Sequence, residues 1–81
     1  MDHTTWRVEI DVADSGAEVT ARARLDDGPV TTVGLGRARH DEAERDLQPA
    51  SALAVGRSLT DLSRSLRYLS DARRFALIDQ A

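Results

Sequence analysis

Three groups of residues have types and spacings that could carry chemistry. His40, Asp41 and Glu44 stand together in an acidic stretch; on a helix His40 and Glu44 lie one turn apart, as two metal ligands would, and Asp41 could join them. A stable zinc site takes three or four ligands, and the plainer reading is a solvated histidine in an acidic loop. Ser51, His40 and Asp41 can be assembled into a Ser-His-Asp set, but nothing poises the serine, and no nucleophile elbow is recognisable. Gly34 and Gly36 look like the start of a phosphate-binding loop, yet the third glycine, the Lys-Ser/Thr pair and a helix starting at once are missing. Two glycines that let a strand bend and exit explain them better. The sequence therefore predicts no catalytic, cofactor-binding or metal-binding residues and no enzyme.

Composition narrows the classes further. The chain has 81 residues, a formal charge of −3 and no cysteine, and all 11 of its Lys and Arg positions are arginine. This length allows one domain, residues 1–81, with a core too small to be more than marginal alone, and leaves little room for a small-molecule pocket of several hundred Å³. Without cysteine there is neither a disulfide framework nor a thiolate site, which suits a reducing cytoplasm. No basic-then-apolar leader and no apolar run of membrane-spanning length is present, so a cytoplasmic protein that does not enter a membrane is expected. Net acidity opposes indiscriminate nucleic-acid binding, while arginine supplies planar bidentate donors to any site it lines.

Two kinds of periodicity would position these groups. Trp6 to Val12 alternates, with Trp6, Val8, Ile10 and Val12 on one face and Arg7, Glu9 and Asp11 on the other. After a turn at Asp14, Ser15 and Gly16, the alternation resumes from Glu18 to Leu25 with Val19, Ala21, Ala23 and Leu25 inward. Asp26 to Pro29 make a second turn, and Val30 to Leu35 a third strand with Val33 and Leu35 inward. From Pro49 to Leu69 the spacing changes to three and four: Ala52, Val55, Leu59, Leu62, Leu66 and Leu69 form one apolar helical stripe. Ser70 could cap a short C-terminal helix whose apolar side includes Phe75. The expected fold is α+β: a three-stranded antiparallel sheet in the order β-β-β-α packed on one long helix, followed by that short helix. The predicted core is Trp6, Val8, Ile10, Val12, Val19, Ala21, Ala23, Leu25, Val33, Leu35, Val55, Leu59, Leu62, Leu66, Leu69 and Phe75. Between Arg37 and Gln48 lies a charged, mobile connection with only Leu47 to bury, the natural place for a functional loop.

Arg7, Arg22 and Arg24 project from the open sheet face, and Arg37, Arg39 and His40 extend positive charge where the third strand ends, the raw material of an electrostatic footprint for nucleic acid. Glu9, Asp11 and Glu18 share that face, so cross-strand pairing could consume the charge. Leu53 and Tyr68 fall off the main helical stripe, beside Arg57, Asp61 and Arg64. Either they are scattered exposed apolar groups, or that side meets a second subunit.

Gly34-Leu35-Gly36-Arg37-Ala38-Arg39 resembles the G-x-G-x-A-R pattern of a family of small actinobacterial proteins of unknown function. Leu53-Ala54-Val55-Gly56-Arg57-Ser58-Leu59, followed by Leu62, resembles that family's L-A-x-A-R-A-L-x-x-L helix. The likeness spans Trp6 to about Leu69. It implies a fold like the double-stranded-RNA-binding domain without its usual first helix, and a tendency to form homodimers. Some members are linked to dormancy and compared in shape with ribosome hibernation factors. The resemblance thus implies a non-enzymatic stress- or dormancy-associated binding protein with ribosomal RNA as partner, through Arg22, Arg24, Arg37 and Arg39. The alternative is a homodimeric protein-interaction or structural module that binds no nucleic acid, with Leu53 and Tyr68 at the interface.

Overall fold

The computed structural model describes residues 2–26 and 28–79, with side chains through residue 69. Three strands, β1 (Val8–Asp14), β2 (Glu18–Asp26) and β3 (Thr31–Arg39), are followed by a short helix α1 (His40–Arg45) and a long helix α2 (Ala50–Asp79). The strands form an antiparallel meander in the order β1-β2-β3. Its two turns are built alike: Asp14 Oδ1 accepts from the Gly16 N–H at 2.9 Å and Asp26 Oδ1 from the Gly28 N–H at 3.0 Å, and each glycine has the positive φ such a turn needs.

The helix lies over β2 and β3, and what seats it is an absence of side chains. A Cβ on Gly34 would sit 2.3 Å from both the Leu62 nitrogen and the Ser58 oxygen, and one on Gly36 2.3 Å from the Ala54 oxygen. Backbone thus rests on backbone, and the buried ridge of α2 is its small-residue row Ala50, Ala54 and Ser58, ending in Leu62. Ser58 stays satisfied by donating to the Val55 carbonyl at 2.7 Å. Opposite the ridge, Val19, Ala21, Ala23 and Leu25 of β2 are buried as predicted.

Several expectations are corrected. The inward face of β3 is Thr32, Gly34, Gly36 and Ala38, so Leu35, predicted inward, is 63% exposed; glycines carry no hydrophobic signal, and reading the strand without them inverts its faces. Trp6, Val8 and Val12 are exposed because α2 does not reach over β1, and Leu59 because it flanks the ridge. Ile10, Val33, Val55, Leu66 and Leu69 are half-buried, and Phe75 lies outside the described side chains.

The Arg37 to Gln48 connection is not an irregular loop. β3 runs on to Arg39, and α1 follows with Asp41 and Glu42 in its first turn and Arg45 in its last, as the helix dipole favours. Ala43, not Leu47, anchors the segment: Ala43 joins the core cluster, whereas Leu47 is 92% exposed. Leu47 ends α1 with φ 55; its N–H donates to the Glu44 carbonyl at 3.3 Å and the Gln48 N–H to the Ala43 carbonyl at 3.0 Å, the Schellman closure usually left to glycine. Finally, α2 continues through Ser70 to Asp79, so there is no separate C-terminal helix; no proline or glycine follows Gly56 to stop it.

Candidate functional site

The four arginines of the proposed nucleic-acid surface all lie exposed on the sheet face turned away from α2. The register decides what surrounds them. Arg24 stands opposite Glu9 and Arg22 opposite Asp11, while Arg39 faces Glu18 and Arg37 faces Thr20. Arg24 Nη2 bonds Glu9 Oε2 at 2.5 Å, and Arg39 Nε lies 3.5 Å from Asp41 Oδ1. The face is therefore striped by sign, acidic along β1 and basic along β2, with exposed Leu35 on the edge strand β3. Exposed pairs of this kind add little stability, but they divide the positive potential. The structure brings Arg22 with Arg24, and Arg37 with Arg39, onto one face and joins them into no unbroken stripe.

Around the free edge of β3 the helix supplies what a fourth strand would. Asp61 Oδ2 accepts from the Leu35 N–H at 2.8 Å, and Arg57 Nη1 donates to the Arg37 carbonyl at 2.8 Å. Arg57 is held in place by Glu42 of α1, through Nη1 to Oε2 at 3.2 Å and a second, shorter Nη2 contact to Oε1. The hydrogen bond from Arg57 holds the Glu42 carboxyl below its ordinary range and raises the Arg57 guanidinium in turn. Covering an edge with charged side chains blocks strand addition there. An open groove of about 710 Å³ runs beside this edge, past Arg37, Arg57, Thr60 and Arg64. Sequence reasoning missed the role of Arg57 and Asp61; their spacing of four on one helix side was the available signal.

On the same side of α2, Leu53 packs half-buried against the Ala43–Ala54 cluster. Tyr68 is exposed beside a second shallow groove lined by Val30, Thr31 and Arg64. Fifteen residues of helix, about 22 Å of rise, separate the two, so they do not form a single patch.

His40 is not partnered by Asp41. The Arg39–Glu18 pairing carries it to the first hairpin, where its N–H donates to the Ala17 carbonyl at 3.2 Å and its ring Nε2 lies 2.9 Å from Asp14 Oδ1. That hydrogen bond, with another from the Gly16 amide, holds the Asp14 carboxyl below its usual range. Among the described residues no three His, Cys, Asp or Glu side chains converge as a metal site would require.

A pH dependence follows from Asp14 and Glu42. Each has a folded pKa below its unfolded value, so the unfolded chain binds more protons, and the stabilisation present above the unfolded value is lost as pH falls through the folded one. The thermal midpoint should hold steady near neutrality and fall below about pH 4.5, and circular-dichroism melts of the Asp14→Asn/Glu42→Gln double variant should show a flatter acid limb.

The third surface was not singled out in the sequence. β1 lies beyond the helix, and Val8 and Val12 are exposed, as are Trp6 (58%) just before the strand and Leu59 on the flank of α2. Half-buried Ile10 packs against both core clusters, Val55 against one of them and Leu66 against the other. Exposed apolar groups that gather in a patch, rather than scatter, mark interaction sites.

Comparison with known proteins agrees with this architecture. A family model described as Rv2632c-like matches residues 4–74. A solved structure titled "Crystal Structure of Rv2632c" is similar at a TM-score of 0.81 and 28% sequence identity, over 94% of this chain and 92% of that one. No curated protein matches, and no described helix is long and apolar enough to cross a membrane.

Proposed function

The chain belongs to the Rv2632c-like family, and we propose that it works there without catalysis, as a cytoplasmic homodimeric protein-interaction module. One observation carries this reading: Trp6, Val8 and Val12 at β1 and Leu59 on the flank of α2 are large apolar groups that the monomer leaves exposed. A domain of this size buries too little surface to waste four large apolar groups, and a second copy would shelter them. The interface is thus assigned to Trp6, Val8, Val12 and Leu59, in place of Leu53 and Tyr68.

A second reading, a dormancy-associated protein of double-stranded-RNA-binding-domain-like shape that sits on ribosomal RNA, is favoured by one feature. Arg37 and Arg39 are exposed neighbours on β3, and Arg57 and Arg64 line the groove beside them. Against it stands the sign-striped sheet face, whose carboxylates lie opposite Arg22 and Arg24. One experiment weighs both readings. Sedimentation should give about twice the 8.9 kDa chain mass, reduced to a single chain by Val12→Asp/Leu59→Asp. Co-sedimentation with ribosomes at low salt, abolished by Arg37→Glu/Arg39→Glu, would establish the second reading; a monomeric wild-type protein would remove the first.

A further inference from the structure

The two edges of the sheet are treated differently. Asp61 and Arg57 cap β3, whereas no hydrogen bond from a described residue reaches the outer edge of β1. Which groups lie along that edge follows from the ladder. The Ser15 N–H donates to the Glu18 carbonyl at 3.0 Å, and pairing then runs unbroken from Asp14–Val19 to Val8–Leu25. Antiparallel alternation turns the backbone groups of Glu9, Asp11 and Ala13 toward β2 and those of Val8, Ile10 and Val12 outward. Three donors and three acceptors in a row on a strand of seven residues are a template for another strand.

We infer that β1 pairs antiparallel with β1 of a second copy, joining two three-stranded sheets into one of six strands, an inference that rests on the homodimeric reading above. The chain's own pattern sets the register. Directly opposed residues share a face, so apolar residues should oppose apolar ones and opposite charges each other. With Glu9 on the two-fold axis, Trp6 stands opposite the second copy's Val12 and Val8 opposite its Ile10, and the symmetry repeats both pairs. All four apolar residues then meet apolar partners. On the other face Arg7 meets the second copy's Asp11, again twice. The two Glu9 carboxylates that approach at the axis are each held by their own Arg24.

Neighbouring registers do worse. Ile10 on the axis would oppose Glu9 to Asp11 and Trp6 to Asp14, and Val8 on the axis would strand Val12 against Thr4. In the favoured register the inner faces of both β1 strands make one apolar floor between the two α2 helices, walled by Leu59 of each copy.

The absence of native cysteine makes the register directly readable. At the axis the facing Cα atoms would be about 4.5 Å apart, inside the disulfide window of about 4.4 to 6.8 Å. Single Glu9→Cys, Asp11→Cys, Ala13→Cys and Leu59→Cys variants of the full chain would be oxidised mildly at low concentration and run on a non-reducing gel. The unmodified protein's mass is measured alongside. Expected is a dimeric mass and Glu9→Cys converting to covalent dimer several-fold faster than the other three. Faster conversion of Asp11→Cys or Ala13→Cys would overturn the register. Conversion of Leu59→Cys alone would overturn strand pairing and leave the homodimer standing. A single-chain mass at every concentration would overturn both.

Discussion

Alanine in place of Gly36 is expected to remove a large part of the stability of this domain. The added Cβ would lie 2.3 Å from the Ala54 oxygen and 2.4 Å from the Ser58 nitrogen. Both are helix backbone atoms, so no rotamer change relieves the clash. The only escape is to lift α2 off the sheet by about 1 Å, which opens a gap along the whole buried ridge and forfeits much of its dispersion attraction. Over-packing costs about 1 to 3 kcal/mol even where side chains can yield, and occasionally more, so a loss of about 3 kcal/mol or more is expected here. A chain of this length has about 4 to 12 kcal/mol in all. Urea unfolding would read the effect as a large drop in midpoint. Gly34→Ala, aimed at the Leu62 nitrogen and Ser58 oxygen, should behave alike. Gly56→Ala supplies the opposite sign: it lies on α2 with nothing near its would-be Cβ, and replacing a helical glycine by alanine should add about 0.5 to 1 kcal/mol. Three chemically identical substitutions then separate by their contacts alone. Equal losses at all three sites would refute the close seating of α2.

Leu62→Ala should cost about 3 kcal/mol, within the usual range of about 2 to 5 for deleting a buried leucine side chain, whereas Leu59→Ala should change the monomer's stability far less. The two leucines are three residues apart on one stripe of the sequence. In the structure Leu62 is 3% exposed, packed against Ala23 and Leu25, and Leu59 is 41% exposed. Because the rest of the ridge is alanine and serine, Leu62 is the one large side chain it contributes to the core, and its neighbours on a backbone-seated helix can collapse little into the void. Leu59→Ala should instead show its effect in the proposed dimer, as dissociation to single chains at a higher concentration than the unmodified protein. A comparable loss of monomer stability from both variants would contradict the seating described here.

The number of strands, their antiparallel order and both turns were legible because alternation and Asx-Gly punctuation are local signals. The burial of Val19, Ala21, Ala23 and Leu25 was legible for the same reason. Arg22 and Arg24 were expected on the exposed sheet face and lie there, since that too is a matter of parity; Arg37 and Arg39 were expected beyond the third strand and instead lie within it, on that same face. The buried side of β3 was not legible, because its signal is two glycines and a threonine, and burial by close approach leaves no hydrophobic trace. Nor was the buried ridge of α2: periodicity finds the greasiest side of a helix, and here the smallest side is nearest the sheet. Arg57, Asp61, Glu42 and the His40–Asp14 contact depend on groups 15 to 26 residues apart in sequence, and no local pattern connects them.

By itself, the amino-acid order determined a three-stranded meander followed by a long helix, with a charged exterior sheet face. Only the tertiary arrangement decided which edge of the sheet is closed and which apolar residues are left uncovered. The physical reason is that a helix of fixed width covers two strands of three. Its lateral position is set by where two glycines let backbone meet backbone, and that position leaves β1 open.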